Sequence, residues 1–516
     1  MGTVNKIADL QNRRALIEQG GGDAKINKQH DAKKLTARER INYLLDDGSF
    51  IETDAFVKQR CDDSAAAETD APADGVITGY GTVDGRPVCI YAQDFTVIGG
   101  SLGEMNTKKI CKIIDMAIKT GTPVIALCDS AGTRIQEGMT ALSGLGDILM
   151  KNTMASGVVP QITAVMGPCA GGAAYSPALG DFVFVVEETT QMFVTGPSVI
   201  SSASGKKVTM EEIGSADANF AKSGVAHFKA KDDKDCLDGI KKLLSYLPAN
   251  NLEDAPYVDM GDEINRVSES LQTIVPDDTT AAYDVKEVIK QITDCGELLE
   301  VQAEYAKNIV VGFARMNGST VGIVANQSAE KDGNLDINAS EKAARFIRFC
   351  DSFNIPVITL TDAGGFVPCA CQEQNGIVRH AAKLIYAYAE ATVPKINVII
   401  RKAYGSAYLA MSSKQLGTDA VYAWPTAEIA VTAPECAANI IFNDEIADSD
   451  KPVETRNEMI EKYKEKAASP YEAAKYGYVD DIIEPDSTRP RIIAALEMMA
   501  SKRETRPGKK HGNIPM

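Results

Sequence analysis

Two halves of this chain carry the same short motifs in the same order at nearly constant spacing. Pro123-Val124-Ile125-Ala126-Leu127-Cys128-Asp129 and Pro356-Val357-Ile358-Thr359-Leu360-Thr361-Asp362 lie 233 positions apart. Pro160 and Pro394 lie 234 apart, as do Gly171 and Gly405, and Val194-Thr195-Gly196-Pro197 precedes Val431-Thr432-Ala433-Pro434 by 237. An offset that drifts so little marks a tandem duplication, so one architecture must form twice. The shared centre of each half is a small-residue turn between a strand-like and a helix-like run. These turns are Gly167-Pro168-Cys169-Ala170-Gly171-Gly172-Ala173-Ala174-Tyr175 and Arg401-Lys402-Ala403-Tyr404-Gly405-Ser406-Ala407-Tyr408-Leu409. Such a turn leaves backbone N–H groups uncovered, and the positive end of the helix behind it favours an oxyanion.

At 516 residues the chain exceeds what one core supports. Domains are expected at residues 1–255 and 256–516, with the acidic, proline-bearing stretch at about 247–283 as linker. An apolar fraction of 44% and a charged fraction of 24% fit a globular protein. A net charge of −17 argues against a nucleic-acid partner, and the basic run from Lys502 to Lys510 reads as a solvated tail. No apolar stretch is long enough to span a membrane, and residues 1–40 are too polar for a signal peptide, so a cytoplasmic location is expected. Eleven cysteines without paired metal-ligand spacing suggest free thiols, and Cys369 and Cys371 alone do not suggest zinc. The four histidines are far apart in sequence, so no metal is expected.

The spacing of Leu10, Ile17, Ile41 and Leu44 predicts a helical arm over residues 1–45, broken at Gly20-Gly21-Gly22, that packs outside or on a neighbouring subunit. Thr36-Ala37-Arg38-Glu39 is a capping box. Strands are predicted at 75–83 and 87–92 around Asp84-Gly85, and again at 309–315 and 320–325 around Asn317-Gly318. Helices and strands then alternate in both halves, which means α/β with a mostly parallel sheet in each. The polar loops after Asp129 and Asp362 fall at strand carboxyl ends, where α/β folds bind ligands.

Two anion turns suit a reaction in which two oxygens become negative, as when an enolate forms. No P-loop, Ser-His-Asp set or paired-acid constellation is present, and Gly75 to Gly81 lacks the dinucleotide fingerprint spacing. At this level a stand-alone hydratase or thioesterase and a two-substrate transferase both remain open.

Specific motifs run through nearly the whole chain. They include Lys28-Gln29-His30, Leu35-Thr36-Ala37-Arg38-Glu39-Arg40, Gln93-Asp94-Phe95-Thr96, and Arg134-Ile135-Gln136-Glu137-Gly138. Others are Asp336-Ile337-Asn338-Ala339-Ser340, Glu390-Ala391-Thr392-Val393-Pro394-Lys395, Ala423-Trp424-Pro425, and Lys509-Lys510-His511-Gly512-Asn513. On these the chain resembles the carboxyltransferase subunits of biotin-dependent acyl-CoA carboxylases, decarboxylases and transcarboxylases. The resemblance implies a tandem pair of crotonase-type domains, a homo-hexamer, and an active site shared between subunits. It implies transfer of CO2 between carboxybiotin and the α-carbon of a short acyl-CoA, propionyl-CoA or methylmalonyl-CoA above all, with no metal. Biotin would arrive on a separate carrier protein, and a biotin carboxylase or a membrane decarboxylase subunit would complete the system. An alternative is the decarboxylase subunit of a membrane sodium pump acting on another dicarboxylic CoA such as glutaconyl-CoA.

The same resemblance implies that Gly171, Gly172 and Ala173 face the acyl-CoA thioester and that Gly405, Ser406 and Ala407 face the ureido oxygen of biotin. Ala131, Gly132, Arg134 and Tyr175 beside the first turn, and Gly365, Phe366 and Leu409 beside the second, are the expected substrate contacts. Arg134 would meet a CoA phosphate or form a surface ion pair. Leu409 suits an apolar α-methyl group. Tyr404 reads as ring packing, and Asp129 and Asp362 as helix N-caps. The sequence departs from the family pattern at Gly364, Cys369, Ser406 and Cys436, all on the biotin side. Were Cys369 to take positive φ it would carry backbone strain.

Overall fold

In the computed structural model, which describes residues 2–60 and 71–516, each half opens its main sheet with a two-residue hairpin. Asp84 (φ 50°) and Gly85 (φ 75°) join β2 (Val76–Val83) to β3 (Arg86–Gln93). Asn317 (φ 49°) and Gly318 (φ 76°) join β10 (Ile309–Met316) to β11 (Ser319–Asn326). Positive φ at both central positions gives the turn whose twist matches paired strands, and Asp-Gly and Asn-Gly adopt it readily.

The chain divides into two units, Met1–Glu253 and Asp254–Met516. In the first, β1 (Ile51–Thr53), β2 and β3 pair antiparallel. Next come the parallel strands β4 (Val124–Ser130), β5 (Gln161–Ala170), β6 (Phe182–Val186) and β8 (Phe228–Ala230), while β7 (Gln191–Phe193) pairs with the end of β5. The second unit repeats the order. β9 (Leu299–Val301), β10 and β11 are antiparallel, and β12 (Val357–Ala363), β13 (Lys395–Tyr404), β14 (Ala420–Ala423) and β16 (Asp481–Ile482) are parallel. β15 (Glu428–Ala430) pairs with the end of β13. The central strands β4 and β12 are buried along their whole length, which is why they read as continuous runs rather than as alternation.

Helix Glu104–Thr120 turns Ile110, Ile113, Ile114 and Ala117 inward and stops at Gly121, whose φ is 65°. In the second unit Val310, Ile323, Ile358, Ile396 and Trp424 form a core closed by Val288, Ile289 and Ile492 from flanking helices. The boundary between the units lies inside the stretch expected as linker, residues 247–283, but that stretch is not a free connection along its length. Leu271, Val275 and Tyr283 join that core, because a stretch with apolar residues at these positions gains more by burial than by spanning.

The amino-terminal arm has three helices, Thr3–Glu18, Asp23–Asp31 and Ala37–Leu44. The capping box at Thr36 and Glu39 is formed. The third helix is rooted in the first unit, with Arg40, Ile41 and Leu44 buried. The basic tail is held rather than solvated: Lys502 donates to Val393 O and Asp419, and Lys509 pairs with Glu390.

Candidate active site

The two central strands of each unit slip register at the same place. Pairing of β4 with β5 shifts between Cys128 and Ser130, and pairing of β12 with β13 shifts between Thr361 and Ala363. A bulge there bends the strand end and re-aims the chain beyond it. Each long strand, β5 and β13, then ends on a glycine in the left-handed region, Gly171 at φ 65° and Gly405 at φ 58°. A short helical segment begins at once in each case, Gly171–Ala174 continuing into Tyr175–Leu179, and Gly405–Ala410. The first N–H groups of such a segment have no partner inside it, so Gly171-Gly172-Ala173 and Gly405-Ser406-Ala407 present donors at the strand's carboxyl end.

A loop from the neighbouring strand flanks each turn with identical bonding. Leu102 N donates to Gly132 O at 2.9 Å and Arg134 N to Leu102 O at 2.8 Å. Leu335 N donates to Gly365 O at 3.0 Å and Val367 N to Leu335 O at 2.8 Å. Gly132 takes φ 100° and Gly365 φ 152°. A Cβ on Gly132 would lie 3.0 Å from Ala170 O, so this loop abuts the first turn. A Cβ on Gly171 or Gly365 would meet nothing within 4 Å, so space is open above both. The first unit thus gathers Ala131, Gly132, Gly171, Gly172, Ala173 and an exposed Tyr175 at one sheet edge. The second gathers Gly365, Phe366, Gly405, Ser406 and Ala407, with Leu409 exposed on the helix beyond.

Arg134 does not join the first group. Its guanidinium is buried and donates to Asp74, Glu137, and both Ser101 O and Ser101 Oγ at 2.6–3.2 Å. A phosphate contact would require those bonds to break, and a surface ion pair is equally absent because Arg134 and Asp74 are both buried.

Asp129 and Asp362 cap no helix. Each is fully buried at its strand end and neutralised by cations, because a carboxylate without partners there would be costly. Asp129 accepts from Gln29 Nε2 (2.9 Å), Lys34 Nζ (3.0 Å) and Arg40 Nη1 (3.0 Å), all from the arm. Burial lowers the Lys34 pKa against the pull of Asp129. Asp362 instead accepts from Arg401 Nε (3.2 Å) and Lys402 N (2.9 Å) on β13 itself. Gly167 stands where Arg401 stands, and a Cβ there would overlap the Asp129 carboxylate. The two units therefore neutralise one aspartate by two routes.

Tyr404 does more than pack its ring. Its hydroxyl donates to Glu428 Oε2 in a short bond, and burial together with that carboxylate pushes the phenol above its ordinary range. Cys369 takes φ −143°, an extended conformation without strain. It forms a disulfide with Cys371, so this pair departs from the free-thiol expectation. An extended residue at the N-cap ahead of a helical turn brings the two Cα atoms within 5.2 Å, inside the disulfide range. Burial keeps the Cys128 and Cys169 thiols, next to the first turn, well above their usual pKa, Cys169 at about 12, so neither is a thiolate nucleophile.

A further duplication pairs two buried lysines. Lys109 and Lys342 are buried 233 positions apart. Lys109 Nζ donates to Ala73 O and Val76 O, and Lys342 Nζ to Gln302 O, Tyr305 O and Ile309 O. The constant offset is the one signal in the sequence that could have found them.

The carboxyl transferase domain family matches residues 28–514. This chain belongs to that family. The carboxyltransferase subunit of propionyl-CoA carboxylase from Haloferax mediterranei is 56% identical to it over 512 residues, 99% of each chain. Methylmalonyl-CoA decarboxylase subunit alpha from Veillonella parvula is 55% identical over 517 residues, 100% of each chain. The structure of the transcarboxylase 12S subunit, described as a hexamer assembly with methylmalonyl-coenzyme A and methylmalonic acid bound, superposes with a TM-score of 0.98. It is 52% identical and covers 100% of this chain and 99% of its own. The carboxyltransferase fold is therefore the tandem crotonase-like pair, and the enzyme is an acyl-CoA carboxyltransferase subunit. Among the described residues of this carboxyltransferase, no helix is long and apolar enough to cross a membrane.

Proposed function

We propose that this subunit moves CO2 between carboxybiotin on a separate carrier and the α-carbon of propionyl-CoA or methylmalonyl-CoA, within a homo-hexamer of the kind named for the 12S relative. The observation that carries the reading is the duplicated bulge, left-handed glycine and exposed N–H turn, one per unit. A single-substrate enzyme of this fold needs one such turn.

The thioester oxygen lies against the Gly172 and Ala173 N–H groups. Loss of the α-proton places negative charge on that oxygen, and the two donors stabilise the enolate more than the ground-state carbonyl. One lost donor of this type costs about 2.7–4 kcal/mol of barrier. The second turn fits biotin's ureido group. Ser406 keeps its main-chain donor, and the space above Gly365 is open. When bound, biotin supplies the transferable carboxyl group and the base. The Ser406 and Ala407 N–H groups hold its oxygen, and the loop at Gly365-Phe366 borders the pocket. This division of labour accounts for a site without a strong protein base.

Carboxyl transfer from methylmalonyl-CoA to free biotin tests the reading. Turnover that requires biotin supports it. Acyl-CoA hydrolysis, or hydration of an enoyl-CoA, that proceeds equally well without biotin contradicts it.

A further inference from the structure

The residues leading into the two turns differ in kind. In the first unit Gly167, Pro168 and Ala170 offer no side-chain hydrogen bond, and in the second their counterparts are Arg401, Lys402 and Tyr404. Arg401 reaches Asp362, Lys402 reaches Asp332, and Tyr404 reaches Glu428. Glu428 lies on β15, and its other carboxylate oxygen is 3.5 Å from Lys464 Nζ.

Ring volume does not explain the tyrosine. In the first unit Ala170 pairs with Phe193, and in the second Tyr404 pairs with Ala430. One aromatic ring serves each position, contributed from opposite strands. Among the described residues, the hydroxyl–carboxylate bond at the end of the long strand is an addition beside the second turn. It also acts where the turn is touched. β15 runs on to Val431, whose carbonyl oxygen lies 3.1 Å from where a Cβ on Gly405 would sit. Thr426 Oγ1 donates to Ile400 O at 2.7 Å and holds the other end of the same segment to β13. A glycine at positive φ has wide conformational freedom. Donors for an oxyanion must nevertheless be fixed in direction, since small displacements are costly.

We propose that Tyr404, acting through Glu428 and Lys464, is a positioning residue for the second turn, fixing the direction of the Ser406 and Ala407 N–H groups. The inference rests on the reading that this turn holds an oxyanion. It assigns Tyr404 no contact with substrate.

The test uses the full assembled protein carrying Tyr404→Phe, Glu428→Ala or Glu428→Gln. Two partial reactions are measured, decarboxylation of free carboxybiotin and biotin-dependent α-proton exchange of propionyl-CoA, together with the dissociation constant of propionyl-CoA. Hydrogen exchange of the 401–412 peptide is monitored by mass spectrometry. Tyr404→Phe and Glu428→Ala are expected to slow carboxybiotin decarboxylation roughly 10- to 100-fold and, because biotin is the base, α-proton exchange with it, to leave propionyl-CoA binding within about twofold, and to speed amide exchange at 401–412 alone. Glu428→Gln keeps an acceptor for the hydroxyl and is expected to retain most activity. Loss of α-proton exchange without loss of carboxybiotin decarboxylation, weakened propionyl-CoA binding, or wild-type rates and exchange in Tyr404→Phe, overturn the inference. If the wild-type protein performs neither partial reaction, the carboxyl-transfer reading falls instead, and amide exchange alone decides whether Tyr404 holds the turn.

Discussion

Lys109 and Lys342 sit at the same place in the two units, each burying its ammonium among backbone carbonyls of the segment that precedes the hairpin. Burial lowers Lys109 to about 8 and Lys342 to about 7. Between about 7 and the unfolded value of 10.5 the unfolded chain binds a proton at Lys342 that the folded chain lacks. Stability therefore rises with pH across that window and is flat below it. Thermal melts from pH 7 to pH 9 should show the wild type gaining a few degrees relative to Lys342→Met. A constant difference across that range would mean that Lys342 stays charged when buried.

Glycines near the turns should divide sharply under substitution by alanine. A Cβ on Gly100 would overlap the Asp129 carbonyl oxygen, and one on Gly333 the Asp362 carbonyl oxygen. Both variants should fail to accumulate as soluble protein. Gly171→Ala meets no neighbour and bears only positive-φ strain, about 1 kcal/mol. Denaturant unfolding and soluble yield measure the contrast, and similar behaviour of all three would contradict it.

Arg40 bridges Asp129 at 3.0 Å and Asp233 at 2.8 Å, with all three side chains buried. Arg40→Met leaves uncompensated carboxylates and should cost about 3–5 kcal/mol in equilibrium unfolding. A loss below about 1 kcal/mol would show that Lys34 alone neutralises Asp129.

Leu409→Asp should lower kcat/KM for propionyl-CoA by more than for acetyl-CoA. A carboxylate beside an α-methyl group loses hydration that a smaller acyl group leaves in place. Equal losses would place Leu409 outside the acyl pocket.

The duplication made most of the fold legible. Pro123 and Pro356 anchored the offset, Asp84-Gly85 and Asn317-Gly318 announced the hairpins, and the runs ending at Asp129 and Asp362 announced buried parallel strands. Gly171 and Gly405 were legible because a left-handed strand-to-helix junction all but demands glycine. Long-range charge pairing was not. Arg40 and Asp129 are 89 positions apart and Tyr404 and Glu428 are 24 apart, and neither pair has a periodicity or motif that reports contact. Arg134 was misread for the same reason. An arginine after a polar loop looks exposed until Asp74, distant in sequence, is placed beside it. Residues 247–283 hold the boundary between the units, yet their acidity and prolines misled beyond it, because Leu271, Val275 and Tyr283 are apolar enough to be core.

Two turns acting as separate oxyanion sites are the centre of the proposed mechanism. Backbone donors survive ordinary substitution, so Gly172→Pro and Ala407→Pro are the variants that remove one N–H from each. The decisive measurement compares biotin-dependent α-proton exchange of propionyl-CoA with decarboxylation of free carboxybiotin, in variants whose circular dichroism and oligomer size match the wild type. Gly172→Pro should suppress the first reaction alone, and Ala407→Pro both, because biotin held at the second turn is the base, each by about 10²–10³. Near-normal rates in both folded variants would show that neither turn holds an oxyanion.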